Sequence, residues 1–354
     1  MAEKDGSCSS FSMGKSAQER GLPYVPKCYE AQPFDASKID ADIFDVPTID
    51  MAGIEDPERR SIVVEQIANA CRRHGFFQIV NHGIVEATIK GALSVASGFL
   101  NLTTEEKAKY MSNDVHKAVR YGTSIKDGVD KVQFWRIFLK HYSHPLNNWI
   151  HMWPDTPLDY KEKMGKYVSE LEMVALKTAG LITDSVGLGP TYLTKEIDNG
   201  MQVVAVNGYP PCPEPELALG LPAHSDYCCL TLLLQDSPGL QILDSHTNTW
   251  MLVPVVEGAL QVLVGDQVEV LTNGRYKSVV HRVVLSSNQP RISIAGLHSL
   301  GMDVQVQPPP EMADAHFPGR YRQSSFHDFL DFISKNDLGQ GRSFLDTLKI
   351  DQPN

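Results

Sequence analysis

No stretch of this 354-residue chain is apolar over the length needed to cross a bilayer, so membrane insertion is not expected. The opening segment, MAEKDGSCSSFSMGKSAQERG, has acidic residues and no apolar core, which predicts that it is no secretory signal. Basic residues are in deficit: 32 Lys and Arg stand against 43 Asp and Glu, a net charge of -11. Nucleic acid and anionic membranes select a basic surface, so neither is an expected partner. There is no CxxC pair among Cys8, Cys28, Cys71, Cys212, Cys228 and Cys229, and free thiols in a reducing, cytoplasmic setting are predicted. Nor is there a GxGxxG or Walker-type loop to cradle a nucleotide phosphate. No internal repeat is apparent, and no heptad or long exposed apolar stripe asks for a second chain. A monomer is expected.

What is present is an ordinary globular composition, 42% hydrophobic and 21% charged, whose texture changes along the chain. Residues 1–20 are polar and Ser-rich and predict a flexible tail. DVPTIDMAGI reads as a short extended segment, its Pro47 suited to an edge strand or strand start. Over 57–73, Ile62, Val63, Ile67, Ala70 and Cys71 form one stripe and predict a helix. GFFQIVNHG predicts a strand closed by a turn, Glu86 to Leu100 a second helix, and TTEEKAKY a short helix capped by Thr103 or Thr104. Residues 112–157 show no regular pattern, whereas Tyr160 to about Val186 is a long amphipathic helix. After Asn199 come short runs of β-favouring residues, among them MQVVAVNGY, CCLTLLLQD, GLQILD, ALQVLVGDQVEVLTNG, KSVVHRVVL and RISIAGL, each punctuated by Gly, Pro or Asn. Helices followed by strands argue against a doubly wound α/β sheet. The expected fold is mainly β with flanking helices around a jelly-roll, cupin-like core.

The stretch PAHSDYCCLTLLLQD puts His224 and Asp226 two apart before a nearly apolar run. Alternation along a strand would aim both side chains the same way. His281, in SVVHRVV, can meet them from across a barrel. Two imidazoles and a carboxylate make a facial triad for Fe(II), with three positions left open. From the pair alone, a hydrogen-bonded core histidine is the commoner explanation, and zinc is the rival metal. Arg291 bears on that choice. A guanidinium in the interior-type run PRISIAG is costly unless its charge is met, and no acid lies near it in sequence. Its planar fork suits a carboxylate delivered from outside, with Ser293 adding a hydroxyl on the same face. The set fits a small dicarboxylate co-substrate with one end on the metal and the other on Arg291.

The segments VPTIDMAGI, CRRHGFFQIVNHG, NGYPPCPEPELALGLPAHSD, LTLLLQD, SPGLQIL, VLVGDQVEVLTNGRYKSVVHR and RISIA together resemble the plant-type 2-oxoglutarate/Fe(II)-dependent dioxygenases. The likeness runs over most of the chain. It implies a double-stranded β-helix core over 199–306, a helix-rich region over 21–198 packed on it, and a C-terminal helical segment over 307–354 covering the active site. It implies that His224, Asp226 and His281 bind iron and carry catalysis. Arg291 and Ser293 would hold the distal carboxylate of 2-oxoglutarate, with Asn207 and Tyr209 beside them. O2 is the other co-substrate, succinate and CO2 are released, and ascorbate is an expected reductant. Gly208 departs from the family's usual tyrosine, and Leu297 from its usual phenylalanine; both departures are expected to reshape the substrate pocket.

By the same resemblance Phe138, Lys140, Tyr227 and Leu297 surround the organic substrate, an aromatic molecule. The nearest likeness is to flavone synthase I, flavanone 3-hydroxylase and the salicylate 5-hydroxylase group. That implies a flavanone converted to a flavone or to a hydroxylated flavanone, with ring hydroxylation of a phenolic acid as the alternative. A non-catalytic cupin-like metal holder and a zinc hydrolase leave Arg291 and Ser293 without a use. His74 and His82 are expected to be structural, His141, His144 and His151 to lie in a loop near the cavity, and Asp266 and Glu269 to serve a turn and a strand face.

Overall fold

Asp56 opens the first long helix by accepting a hydrogen bond from the Arg59 amide at 2.9 Å, with Pro57 at the first helical position. The computed structural model describes residues 21–30, 41–123, 131–314, 316–337, 341 and 343–350, so the expected tail over 1–20 lies outside the described residues. The order in the first half is β1 (Thr48–Asp50), α1 (Pro57–Arg73), β2 (Phe76–Val80), α2 (Glu86–Leu100), α3 (Thr104–Ala108), β3 (Val119–Gly122), β4 (Ile137–His144), α4 (Leu146–Trp149), α5 (Tyr160–Ser185) and α6 (Thr194–Asp198). The second half runs β5 (Met201–Tyr209), β6 (Leu221–His224), β7 (Leu230–Gln235), β8 (Leu240–Asp244), β9 (Thr249–Leu252), β10 (Leu260–Val264), α7 (Asp266–Leu271), β11 (His281–Val283), β12 (Arg291–Ser299), α8 (Phe326–Lys335) and α9 (Phe344–Leu348).

Two sheets face one another. The larger has the order β1-β2-β10-β7-β12-β5-β4-β3 and the smaller β6-β11-β8-β9. Every pairing is antiparallel except β1 with β2. This is the expected jelly roll with helices on one side. Four of the eight strands of the large sheet precede residue 199, so the sheet is a joint product of both halves of the chain. β1 sits at its edge, as Pro47 suggested.

β4 lies where the sequence showed no pattern. Polar residues interrupt both of its faces, Lys140 on the inner and His141 and Ser143 on the outer, and that hides a strand whose register with β5 is nearly unbroken. His141 is consequently not in a loop. Fully buried, it bonds the Tyr160 hydroxyl at 2.9 Å and Ser143 Oγ at 3.1 Å, and its ring lies 4.1 Å from that of Trp153. The run VLVGDQVEV also differs from expectation, turning at Gly265 from strand into α7. The amides of Asp266 and Gln267 donate to the carbonyls of Asp226 and Cys228 at 2.8 and 3.1 Å. A Cβ on Gly265 would stand 2.2 Å from the Cys228 carbonyl oxygen. Tertiary contact thus overrides the β propensity of Val268 and Val270.

α5, 26 residues long, crosses the back of the large sheet. Leu171 presses on β12 at Gly296, where a Cβ would lie only 2.4 Å from its Cδ2. The outer face of the sheet is therefore closed by helices, and its inner face is free to build a site.

Candidate metal and co-substrate site

His224 and His281 are direct cross-strand partners on β6 and β11. They come together as neighbours within the small sheet and not from across the barrel. Asp226 is not on a strand either: β6 ends at His224, and Asp226 belongs to the turn leading to β7. What fixes it is the α7 amide on its carbonyl and the Thr231 hydroxyl, which donates to Oδ2 at 2.6 Å. The ligand atoms of the three residues all lie within 4.8 Å of one another.

The imidazoles are oriented by their own backbone. Nδ1 of His224 lies 2.8 Å from the Pro222 carbonyl, and Nδ1 of His281 lies 3.2 Å from that of Val279. Each Nε2 is thereby turned toward Asp226 Oδ1, at 3.5 Å and 3.9 Å. Carbonyl acceptors that fix the tautomer in this way are typical support for metal-bound histidine. Burial, reinforced by the neighbouring His224, pulls the His281 imidazole down to about 4. Burial alone would raise the Asp226 carboxyl, but His281, His224 and Thr231 together hold it below the usual carboxylate range. Two imidazole nitrogens and one carboxylate oxygen brought within 4.8 Å of one another form a donor set that fits a divalent iron.

Register then places the rest. Side chains at paired positions of neighbouring strands share a face, so the inner face of the large sheet reads as successive rows. Arg291 pairs with Tyr209; Gln235, Ser293, Asn207 and Phe138 form the next row. Leu233, Ala295, Ala205 and Lys140 follow, and then Thr231, Leu297, Val203 and Tyr142. The proposed co-substrate residues thus lie at one end of this face, and Thr231, the support of Asp226, lies toward the other.

Arg291 is 4% exposed, and burial acts to lower its guanidinium. Nε donates to the Ser237 carbonyl at 3.1 Å, Nη1 to Ser293 Oγ at 3.3 Å and Nη2 to Gln235 Oε1 at 3.0 Å, above the Tyr209 ring at 5.1 Å. Among the described residues no carboxylate comes within ion-pair distance; Asp236 acts only through its field. The buried Nε2 of Gln235 has no hydrogen-bond partner. A cation and an orphaned donor side by side fit a carboxylate brought in by a ligand. Gln235 and Thr231 went unnoticed in the sequence, although both are polar residues at even spacing in an otherwise apolar strand.

Other residues fall differently. Tyr227 is buried among the C-terminal helices: its ring stacks on Phe329 at 5.1 Å and meets Phe344 at 5.0 Å, and its hydroxyl bonds Ser324 at 2.7 Å. The chain's own aromatics thus fill its surroundings, and Tyr227 fastens the C-terminal segment to the Asp226 turn. Glu269 lies on a helix, not a strand face, and accepts from Tyr321, Lys277 and the Ser278 amide at 2.6, 3.0 and 2.7 Å. Burial raises the Asp266 carboxyl to about 7.

Gly208 faces away from the pocket. A Cβ there would meet Leu100 Cδ1 at 2.9 Å and Ile137 Cγ1 at 3.2 Å, so the missing side chain makes room for α2. Gly208→Tyr should overpack this contact and destabilise the fold by about 1–3 kcal/mol, leaving the 2-oxoglutarate titration midpoint unchanged. Melting curves beside that titration check it; a shifted midpoint at unaltered stability would put Gly208 on the pocket side.

Residues 46–156 match the family model described as the N-terminal part of non-haem dioxygenases in morphine synthesis, and residues 199–299 match that of the 2OG-Fe(II) oxygenase superfamily. The chain is 44% identical to 2-oxoglutarate-dependent dioxygenase 21, chloroplastic, of Oryza sativa subsp. japonica, over 87% of this chain and 92% of that one. To flavanone 3-dioxygenase 3 of the same organism it is 41% identical, covering 86% and 93%. To Protein DOWNY MILDEW RESISTANCE 6 of Arabidopsis thaliana it is 42% identical, covering 71% and 72%. A solved structure of JOX2 in complex with 2OG, Fe and JA superposes with a TM-score of 0.82 at 27% identity, over 98% of this chain and 99% of that one. These relatives stand at similar distances, so the likeness gives the family and not one subfamily. The chain is a member of the plant 2-oxoglutarate- and Fe(II)-dependent dioxygenase family, an oxidoreductase that uses O2 and 2-oxoglutarate on a small organic substrate and releases succinate and CO2.

Proposed function

We propose that the substrate is a flat aromatic flavonoid, a flavanone converted to a flavone or to a hydroxylated flavanone. The observation that carries this reading is a trough in the inner face. Ala205 and Ala295 keep exposed surface in the middle of the large sheet, although each lies on an interior strand. Their methyl groups leave open the width between Lys140 on one side and Leu233 on the other. With strands about 4.8 Å apart, that is a slot roughly three strand spacings wide, suited to a planar ring system. Phe138 and Leu297 supply apolar wall in the adjoining rows. The name of the rice flavanone 3-dioxygenase agrees with this reading.

In the proposed site His224, Asp226 and His281 hold iron, which supplies the oxidative chemistry when bound. Arg291 and Ser293 take the distal carboxylate of 2-oxoglutarate, Tyr209 supports the guanidinium, and Asn207 flanks the ligand. The chain's own contribution is aim and exclusion of water. A monomer in the cytoplasm, read from composition and patterning, and ascorbate as reductant, implied by the family resemblance, complete the proposal. The test is anaerobic loading with Fe(II) and 2-oxoglutarate, then O2 with a panel of flavanones and phenolic acids, products read by mass. Oxidation of phenolic acids with no flavanone product would replace the flavonoid reading.

Phe138→Ala should weaken binding of the aromatic substrate by about 1–3 kcal/mol and leave the 2-oxoglutarate midpoint nearly unchanged. Arg120 and Arg136 lie 5.1 and 4.6 Å from its ring, so the midpoint also controls for their displacement. Unchanged affinity for every aromatic ligand the parent oxidises would remove Phe138 from the wall.

A further inference from the structure

Lys140 sits in the row that forms the trough, opposite Ala205 on β5 and Arg120 on β3. Its ammonium donates to the Val115 carbonyl at 3.0 Å and lies 4.8 Å from the centre of the Tyr142 ring. Val115 accounts for one of its three N–H groups. Among the described residues no carboxylate comes within ion-pair distance. The acid that acts on it, Asp114, does so only through its field, while Arg120 adds charge of the same sign. Burial, with Arg120 assisting, draws the ammonium down to about 7. A methionine would fill this volume without burying a charge. A lysine kept at the edge of an open slot is costly unless something entering the slot meets it.

We propose that Lys140 receives an acidic oxygen of the organic substrate, an ionised carboxylate or phenol, and so selects substrates that carry one. The inference rests on the aromatic-substrate reading above and narrows its chemistry. The geometry supports it in three ways. Lys140 shares a face with Arg291 and Ser293, so both charged anchors look into the same space. It stands one row from Phe138, so a ring against Phe138 can present a substituent to the ammonium. It is separated from the Arg291 end by the Asn207 row, so an acid on Lys140 need not compete with the co-substrate carboxylate. The competing role is a latch, in which Lys140 serves only to hold the 112–118 segment through Val115.

The experiment measures dissociation constants of matched probes under anaerobic conditions, using the full chain loaded with Fe(II) and 2-oxoglutarate. One pair is salicylate and its methyl ester; the other is a 7-hydroxyflavanone and its 7-methoxy counterpart. In the parent, the acidic member of at least one pair should bind tighter by about tenfold or more. Lys140→Gln can still donate to Val115 but carries no charge, and should reduce that preference to within about twofold. Lys140→Arg should retain it. The pair that shows the preference identifies carboxylate or phenol as the group read. Equal binding of the twins in the parent, a preference that survives Lys140→Gln, or no binding by either acidic probe would overturn the proposal. Should Lys140→Gln not fold, the parent and Lys140→Arg still decide it, since equal twins in the parent or loss of preference in Lys140→Arg refutes the charge role. Flavanones that bind without regard to the 7-hydroxyl, with no preference in the salicylate pair, defeat this inference and spare the flavonoid reading; binding confined to the salicylate pair, with salicylate preferred over its ester, does the reverse.

Discussion

His281→Ala protein should make no detectable succinate in response to any substrate the parent oxidises, with Fe(II), 2-oxoglutarate and O2 all supplied. The loss should exceed the 10- to 100-fold typical of an outer partner of a metal ligand, because one of three donors is gone. His281 Nε2 and His224 Nε2 converge on the same carboxylate oxygen, at 3.9 and 3.5 Å. A metal held by the remaining two residues would lose orientation as well as affinity. The fold should survive, since β11 keeps its backbone pairing with both β6 and β8. Oxygen-dependent turnover at the parental rate, with no metal ligand added, would remove His281 from the site. A melting curve separates that outcome from simple unfolding. His224→Ala and Asp226→Ala should behave alike in the assay.

The second large effect concerns the co-substrate. Arg291→Ala leaves the distal carboxylate of 2-oxoglutarate poorly paired inside the protein, a loss on the order of 2–5 kcal/mol. The concentration of 2-oxoglutarate needed for half-maximal succinate formation should rise by roughly 30-fold to several thousand-fold, taking 1.4 kcal/mol per factor of ten. Arg291→Lys keeps the charge without the planar fork and should raise the requirement far less. Neither variant should change which organic substrate is accepted. Ser237, Ser293 and Gln235 already engage the guanidinium, so a purely structural arginine predicts a different pattern. Both variants would then melt earlier while their titration midpoints stayed at the parental value. That pattern would overturn the anchor role.

Much of this molecule is legible in its sequence because apolar period and capping chemistry act locally. α1, α2 and α5 follow from stripes at helical spacing, and Thr103 caps α3 with Glu106 answering it. The residues of the donor set and the Arg291–Ser293 pair could also be named, since buried charge in an apolar run has few other reasons to exist. What could not be read locally is who stands beside whom. That β11 lies next to β6 depends on sheet order. That Asp226 leaves the strand depends on amides of α7 some forty residues later. Tyr227 follows a metal-site residue in sequence, yet its surroundings come from residues about a hundred positions on. Gly208 reads as a lost pocket residue until the strand's alternation turns it toward Leu100. β4 escaped because polar residues interrupt both of its faces, and the partners that serve them, Tyr160 for His141 and Val115 for Lys140, lie outside any local window.

The packing around Tyr227 has a consequence for the order in which the protein matures. Its partners Ser324, Phe326, Phe329 and Phe344 are synthesised about a hundred residues after it. Strands β6, β7 and β11 are all synthesised earlier, and domains begin to fold from the N-terminal side as synthesis proceeds. A nascent chain ending before Ser324 therefore has the donor residues but not the aromatic clasp behind Asp226. The turn that carries Asp226 is therefore backed by residues made about a hundred positions after it, and a chain truncated before Ser324 should hold that turn less firmly.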